Sequence, residues 1–386
     1  MSELSEEIRQ MQEAARTFAD KEVEPVAQAL HLAEAEIPDD LLQKLCDLGI
    51  FGLTAPEEVG GLDMGNLAAA VVTEELSRAW FSVGALPARN WALIEILLRN
   101  GTAEQKQRFL PDLISGRKQA AHSGTEPEAG SDAANIKTTA VKDADHYILN
   151  GTKLWCTHAR RAEVISCFVR TSKDHKHAGI SLLLIEKPRG EFPGPEFTAQ
   201  KLNTVGYHGM HSYQLFFDNL KVPVANLVGG VEGLAFRQLM ATYEFARMQF
   251  AFRCIGLAQA AFDKARDYAA TRVQFGKTIN SFQAVRFKLA DMSTGIEAAR
   301  QLGYMVARKL DRGERADLEA GQLKLFAAEM AQKVCQEAVQ IHGGMGFAVE
   351  TAVNRYWRDS GLLTIGEGTS EIQREVIARR LVEERG

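Results

Sequence analysis

Gly366-Glu367-Gly368-Thr369-Ser370-Glu371-Ile372-Gln373-Arg374 joins a charged, aromatic stretch to a terminal helical pattern. A carboxylate between two glycines, reached through Leu362, Leu363 and Ile365, gains little from packing, so its charge points to chemistry. The plain alternative is a solvated glutamate at a helix start. All ten prolines lie at or before Pro223. The proline-free remainder, rich in Ala, Leu, Glu, Gln, Lys and Arg, has the composition of long helices. Phe236, Leu239 and Tyr243 recur at helical spacing, as do Phe282, Val285, Leu289 and Met292. Breaks at Gly276, Asp311-Arg312-Gly313 and Gly343-Gly344 divide it into helices long enough for a bundle.

Upstream, the first ~118 residues read as helical by the same periodicity. Ile8, Met11, Ala15 and Phe18 form one stripe. Asp39 or Asp40 is a candidate cap for a helix carrying Leu42, Leu45 and Leu48, which Gly49 would end. Between these regions the period changes to that of strands. Tyr147 to Leu149, the dipeptide Asn150-Gly151 and Thr152 to Trp155 predict a hairpin. Val164 to Val169, Ile180 to Ile185 and Tyr213 to Phe217 predict further strands. The expected fold class is α+β: an all-helical region at 1–118, a small β-barrel or sandwich at 119–226, and a four-helix-type bundle at 227–386.

Composition excludes several functions. The 386 residues carry 45 basic and 50 acidic side chains, a formal charge of −5. No basic segment tracks phosphates, so nucleic acid is not an expected partner. No apolar run approaches the ~18 residues of a membrane span. The acidic start, Met1 to Glu7, has neither the apolar stretch of a secretion signal nor transit-peptide arginines, which reads as cytoplasmic. Five widely spaced cysteines (Cys46, Cys156, Cys167, Cys254, Cys335) without a Cys-x-x-Cys pair argue against a disulfide framework or structural zinc.

Four further motifs occur in order: Thr125-Glu126-Pro127-Glu128-Ala129-Gly130-Ser131-Asp132, Lys153-Leu154-Trp155-Cys156-Thr157-His158, Arg272-Val273-Gln274-Phe275-Gly276-Lys277, and Gln340-Ile341-His342-Gly343-Gly344-Met345-Gly346-Phe347. With the Glu367 segment they resemble the acyl-CoA dehydrogenase family, and the resemblance spans nearly the whole chain. It implies the three-region layout above, FAD as cofactor, electron-transfer flavoprotein as electron acceptor and a homotetramer built as a dimer of dimers. It places Thr125 at the flavin ring edge, Ser131 at the cofactor phosphate and among the substrate contacts, Trp155 against the flavin and Thr157 at its reactive edge. Arg272, Gln274, Phe275, Gln283, Gln340, Gly343 and Gly344 would hold the cofactor of a neighbouring subunit, and Thr369 and Glu371 would also contact cofactor. Gly124 and Glu128 depart from the usual residues of the first motif, and His158 stands where the family often has Asn. A glycine pair between helices also reads simply as a turn.

The resemblance makes Glu367 the base that removes the α-proton of an acyl-CoA. Its own N–H, together with Gly368, would face the thioester. A dry site would raise its pKa, suiting it to a carbon acid. The alternative base position of some members aligns with Ala246, which cannot serve. Glu244 and Arg247 would line the pantetheine route or, equally, form a surface ion pair three residues apart. In the acyl-pocket region, Leu86 to Ala92, Trp91 would shorten the cavity or favour a branched or ring-bearing group. Arg89 reads as a surface residue, with a substrate carboxylate as its alternative partner. Rival functions are an acyl-CoA oxidase and a non-catalytic flavin-binding homologue.

Overall fold

A computed structural model describes residues 4–172 and 177–383. Six helices come first: α1 (Glu6–Phe18), α2 (Glu24–Leu32), α3 (Asp39–Asp47), α4 (Gly65–Ala79), α5 (Phe81–Asn100) and α6 (Ala103–Ile114). The stripe expected on α1 faces inward, with Ala15 and Phe18 buried and Ile8 and Met11 packed against them. Gly49 ends the α3 region at φ 70°, as expected, but Pro38 occupies the N-cap. Asp39 and Asp40 sit one step later, in the first turn, where they complement the helix dipole instead of capping it.

Seven strands follow: β1 (Ala120–Ser123), β2 (Thr139–Asp143), β3 (His146–Thr157), β4 (Val164–Arg170), β5 (Ile180–Glu186), β6 (Phe197–Lys201) and β7 (Ser212–Pro223). They form one mixed sheet, β1-β4-β2-β3-β7-β6, with β5 on β4. Alternate residues from β1 through β7, including Ala121, Leu149, Ile165, Leu183, Phe197 and Leu215, share a single core, so the sheet curls around them. Residues of the opposite parity, Ala120, Val164, Ile180, Leu182 and Leu184, pack against Leu93, Leu97, Phe109 and Leu113 of α5 and α6. Burial on both faces explains why β5 is apolar without alternation.

The Asn150-Gly151 hairpin does not occur. β3 runs straight through both residues, and the two-residue turn lies at Ala144-Asp145, where Asp143 pairs with His146. Asn150 instead donates its side-chain amide to Asn219 Oδ1 of β7 (3.2 Å) and accepts the Asn219 N–H (2.9 Å), and the β3–β7 register shifts by one at this point. A turn dipeptide is also bulge chemistry, and here partner-strand bonding selected the bulge.

The rest is helical: α7 (Ala235–Thr271), a small hairpin of β8 (Val273–Gln274) and β9 (Lys277–Thr278), α8 (Gln283–Asp311), α9 (Asp317–His342), α10 (Gly344–Phe347), α11 (Ala352–Ser360) and α12 (Ser370–Glu383). The breaks fall where the glycines predicted them. α7 is the central helix, packing on α4, α5, α8, α9 and α11. At Gly256 a Cβ would lie 2.4 Å from the Glu74 carbonyl of α4, so only glycine permits this crossing. The five cysteines are free thiols, four of them buried. No helix among the described residues is long and apolar enough to cross a membrane.

Candidate active site

Glu367 stands at φ 55°, in the left-handed region that a non-glycine residue adopts only under constraint. Lys324, buried on α9, supplies that constraint by donating to the carbonyls of Leu363 (3.1 Å) and Gly368 (2.7 Å). Gln373 of α12 reaches back to the Glu367 and Gly368 carbonyls at 3.3 and 3.4 Å. Burial pulls the Lys324 ammonium below its usual range, against the opposing influence of Cys254 and Glu367. Among the described residues the Glu367 N–H donates to no other group. The side chain is 46% exposed, so the dry surroundings expected for it are not made by this chain's own side chains.

Beside Glu367 lie groups from α7. Arg253 Nη2 is 3.9 Å from Glu367 Oε1, and the arginine side chain is 6% exposed. Tyr243 lies within electrostatic reach of Glu367, and burial raises its pKa. Arg247 lies over the Tyr243 ring at 5.5 Å, with burial drawing its pKa downward. Glu244 makes no ion pair with Arg247 among the described residues; it accepts the Ala316 N–H at the start of α9 (3.1 Å). The surface-pair alternative is therefore corrected: the carboxylate is spent on a neighbouring helix. Trp91 is 1% exposed, donates its indole N–H to the Ile50 carbonyl (2.9 Å) and packs against Phe245, so it belongs to the helical core. The surface reading of Arg89 is also corrected. Its Nη2 donates to Tyr207 Oη (3.1 Å) and its Nε is buried without a partner.

Thr125, Ser131, Trp155 and Thr157 are carried by the β region. A bulge between Lys153 and Cys156 puts Trp155 at φ 60° and leaves its indole 52% exposed. The Leu154 N–H donates to the Thr125 carbonyl (2.8 Å), which ties the bulge to the Thr125 loop. Beneath them, Lys153 and Glu126 form a buried ion pair (2.8 Å), and Lys153 also donates to the Gly124 carbonyl. Burial alone would raise the Glu126 carboxyl, but Lys153 and the N–H donors of the next loop hold it below the usual range. Thr157 shares a hydrogen bond with Ser212 (2.8 Å), and Ser131 is exposed. His158 is a buried, neutral histidine whose Nε2 has no partner. Neither Lys153 nor Glu126 was singled out in the sequence; their unlike charges beside a predicted loop were the available signal.

Arg272, Gln274, Phe275 and Gln283 gather at one end of the bundle with Gln340, Gly343 and Gly344. The link is a stack of Tyr268 on His342 with ring centroids 4.2 Å apart. All seven residues are exposed, Phe275 by 92%. Arg272 has no carboxylate partner among the described residues. A Cβ at Gly343 or Gly344 would meet nothing within 4 Å. Thr369 accepts the Ile372 N–H at the start of α12, and Glu371 is held below the usual carboxylate range by its own backbone N–H and Thr369. Among the described residues no hydrogen bond, ion pair or ring contact joins the bundle end to the Trp155 bulge. A flat exposed indole, hydroxyls on a rigid bulge, open backbone and an unpaired arginine are groups that fit a dinucleotide flavin.

A three-region architecture with the outward Glu367 carboxylate and two flavin-compatible surfaces defines a flavoprotein oxidoreductase class. Residues 5–117, 121–220 and 235–382 match the N-terminal, middle and C-terminal domains of acyl-CoA dehydrogenase. The chain belongs to the acyl-CoA dehydrogenase family, a family of FAD-dependent oxidoreductases. It is 43% identical to a (2S)-methylsuccinyl-CoA dehydrogenase of Cereibacter sphaeroides, over 99% of this chain and 71% of the relative. Butyryl-CoA dehydrogenase from Megasphaera elsdenii superposes with a TM-score of 0.94 at 34% identity, covering 99% and 100% of the two chains. A chain from a structure of the electron transferring flavoprotein of Acidaminococcus fermentans gives 0.94 at 35% identity, covering 99% of each.

Proposed function

We propose that this protein dehydrogenates an acyl-CoA to a trans-2-enoyl-CoA, with Glu367 as the base. The supporting observation is the Glu367 loop: the carboxylate stands outward on a left-handed residue beside its own unengaged N–H. One residue thereby offers a proton acceptor and, toward a thioester oxygen, a hydrogen-bond donor. That pairing suits a weakly acidic α-proton, whose removal builds charge on the carbonyl oxygen. Lys324 and Gln373 fix the loop so that orientation is set before substrate binds. Bound FAD supplies the acceptor for the β-hydride. Trp155 would shield one side of its ring, Thr157 would hydrogen-bond the reactive edge, and Thr125 and Ser131 would hold the ring edge and phosphate. Ser131, Gly368, Glu244 and Arg247 would line the substrate route.

In this reading Arg272, Gln274, Phe275, Gln283, Gln340, Gly343 and Gly344 serve the flavin of a second copy, with Thr369 and Glu371 as further cofactor contacts. Their exposure supports this, since Phe275 at 92% and Phe347 at 76% need a partner surface. The assembly is then a homotetramer, and electron-transfer flavoprotein is its electron acceptor. Anaerobic titration of the yellow holoenzyme with saturated acyl-CoAs tests the whole scheme. Bleaching of the flavin by one class of thioester is expected; a flavin that no acyl-CoA bleaches would overturn it. Fast peroxide release on admitting air would reassign the enzyme as an oxidase.

A further inference from the structure

Proton abstraction makes no use of Arg253. This residue enters from α7 with its side chain 6% exposed and its Nε without a partner. Among the described residues it makes no hydrogen bond, and the one carboxylate within 4 Å is Glu367, at 3.9 Å, too far for a hydrogen bond. Its guanidinium lies over Phe250 (4.5 Å) and Phe81 (5.9 Å). The Phe81 ring also meets Tyr207 (5.3 Å), whose hydroxyl accepts from Arg89. Arg89 carries a second buried, unpartnered Nε. His122 senses both Arg89 and Glu367: burial and then Arg89 drive its pKa down to about 4, while Glu367 pulls the other way. Two inward arginines therefore share one aromatic wall beside the base. Among the described residues, no carboxylate other than the base comes within 4 Å of Arg253, and none comes within 4 Å of Arg89.

A buried guanidinium whose nearest carboxylate stands 3.9 Å away, beyond hydrogen-bond reach, is poorly compensated, and a straight saturated acyl chain would leave it so. We propose that this wall recognises a carboxylate on the substrate, so that the enzyme acts on the CoA thioester of a short dicarboxylic acid. Arg253 is the primary contact, and Arg89, steadied by Tyr207, adds a second cation. The inference rests on the dehydrogenase reading above and names its substrate class. Chain length follows from distance. Glu367 must approach the α-carbon to roughly 3–3.5 Å, and Arg253 Nη2 is 3.9 Å from the same carboxylate oxygen. These distances cap the span, so a carboxylate held by Arg253 belongs to a short acid; succinyl- and glutaryl-type thioesters, with the carboxylate carbon two or three bonds from the α-carbon, are the test cases. In the reaction the α C–H bond breaks with its proton going to Glu367. The β C–H bond breaks with its hydride going to bound FAD, a C=C bond forms between the two carbons, and the free carboxylate is unchanged.

The test uses the FAD-loaded enzyme and matched thioesters: succinyl-CoA, its 2-methyl derivative and glutaryl-CoA against butyryl-CoA, its 2-methyl derivative and valeryl-CoA. Wild type is expected to prefer a carboxylated thioester over its uncharged counterpart by about 10²-fold or more in kcat/KM. Arg253→Met should collapse that ratio to within about threefold, and Arg253→Lys should restore part of it. Flavin absorbance and circular dichroism verify that the variants fold. Equal or better turnover of the uncharged thioesters by wild type, or an unchanged ratio in Arg253→Met, would refute the substrate class and leave the dehydrogenase reading standing. Bleaching by neither series would refute both.

Discussion

The Glu367 loop and the Arg272–Gly344 end belong to the same C-terminal helical region yet are finished to different degrees. The loop is held from within: Lys324 and Gln373 satisfy its carbonyls, and a left-handed glutamate is the result. The bundle end is left open, with Phe275 exposed by 92%, Arg272 unpaired and two glycines facing empty space. Buried donors can organise a site inside one chain, whereas an exposed aromatic and an unpaired cation mark a surface completed by something else. On the proposed reading, the proton-transfer half of the site is preorganised in the protomer, and the cofactor-holding half is completed by a second copy.

Glu367→Gln is the strongest way to break this contrast. It keeps shape and removes the base, so flavin content and circular dichroism should persist while substrate-driven bleaching slows by about 10²–10⁴-fold or more. Full bleaching would move the base elsewhere. Lys324→Met is expected to act next, since it leaves two carbonyls short of a donor at a cost of ~1–3 kcal/mol each. Single-turnover reduction should slow more than KM rises, and an unchanged rate would mean the loop holds itself. Arg272→Ala probes the open half. Loss of charge-assisted bonds worth ~1.5–3 kcal/mol should weaken FAD retention by about 10–100-fold, measured by ultrafiltration, with little effect on bleaching of the flavin that remains. Normal retention would discredit the second-copy site.

The smallest expected effect is on stability against pH. Burial depresses His31 to about 3 and His122 to about 4 and holds His158 well below the usual histidine value. These groups stay neutral in the fold and take up protons on unfolding once pH falls below roughly 6.5. Their stability contribution is complete above that pH and is lost as pH drops toward their folded values, at ~1.4 kcal/mol per pH unit for each proton. Asp359, raised by burial to about 6, works in the opposite direction between about 6 and its ordinary value. The net slope these four groups contribute near pH 5 is about two protons, readable from urea unfolding of wild type against His31→Gln and His122→Gln at a series of pH values. A flat profile would show that the histidines open to water without unfolding.

The sequence was most legible where one residue type has one structural use. The absence of proline after Pro223 announced long helices, and the breaks fell at the glycines. It was least legible where the same residues serve two structures: Asn150-Gly151 is a bulge because Asn219 on β7 bonds to it, and the true turn is Ala144-Asp145. Arg89 read as a surface residue because charge on a helix usually faces water, but Tyr207, 118 positions away, turns it inward.

The order of helical and strand regions, the candidate base and the motifs proposed to face the flavin are local properties, set by periodicity, turn chemistry and short spacings that neighbouring residues enforce. What surrounds the base is not local. Lys324, Gln373 and Arg253 reach it from α9, α12 and α7, and each looks ordinary in its own segment. Burial turns them into functional groups, because only removal from water makes an unpaired guanidinium costly and an ammonium able to fix a loop. That removal is decided by which helices pack together, and so by the tertiary structure alone.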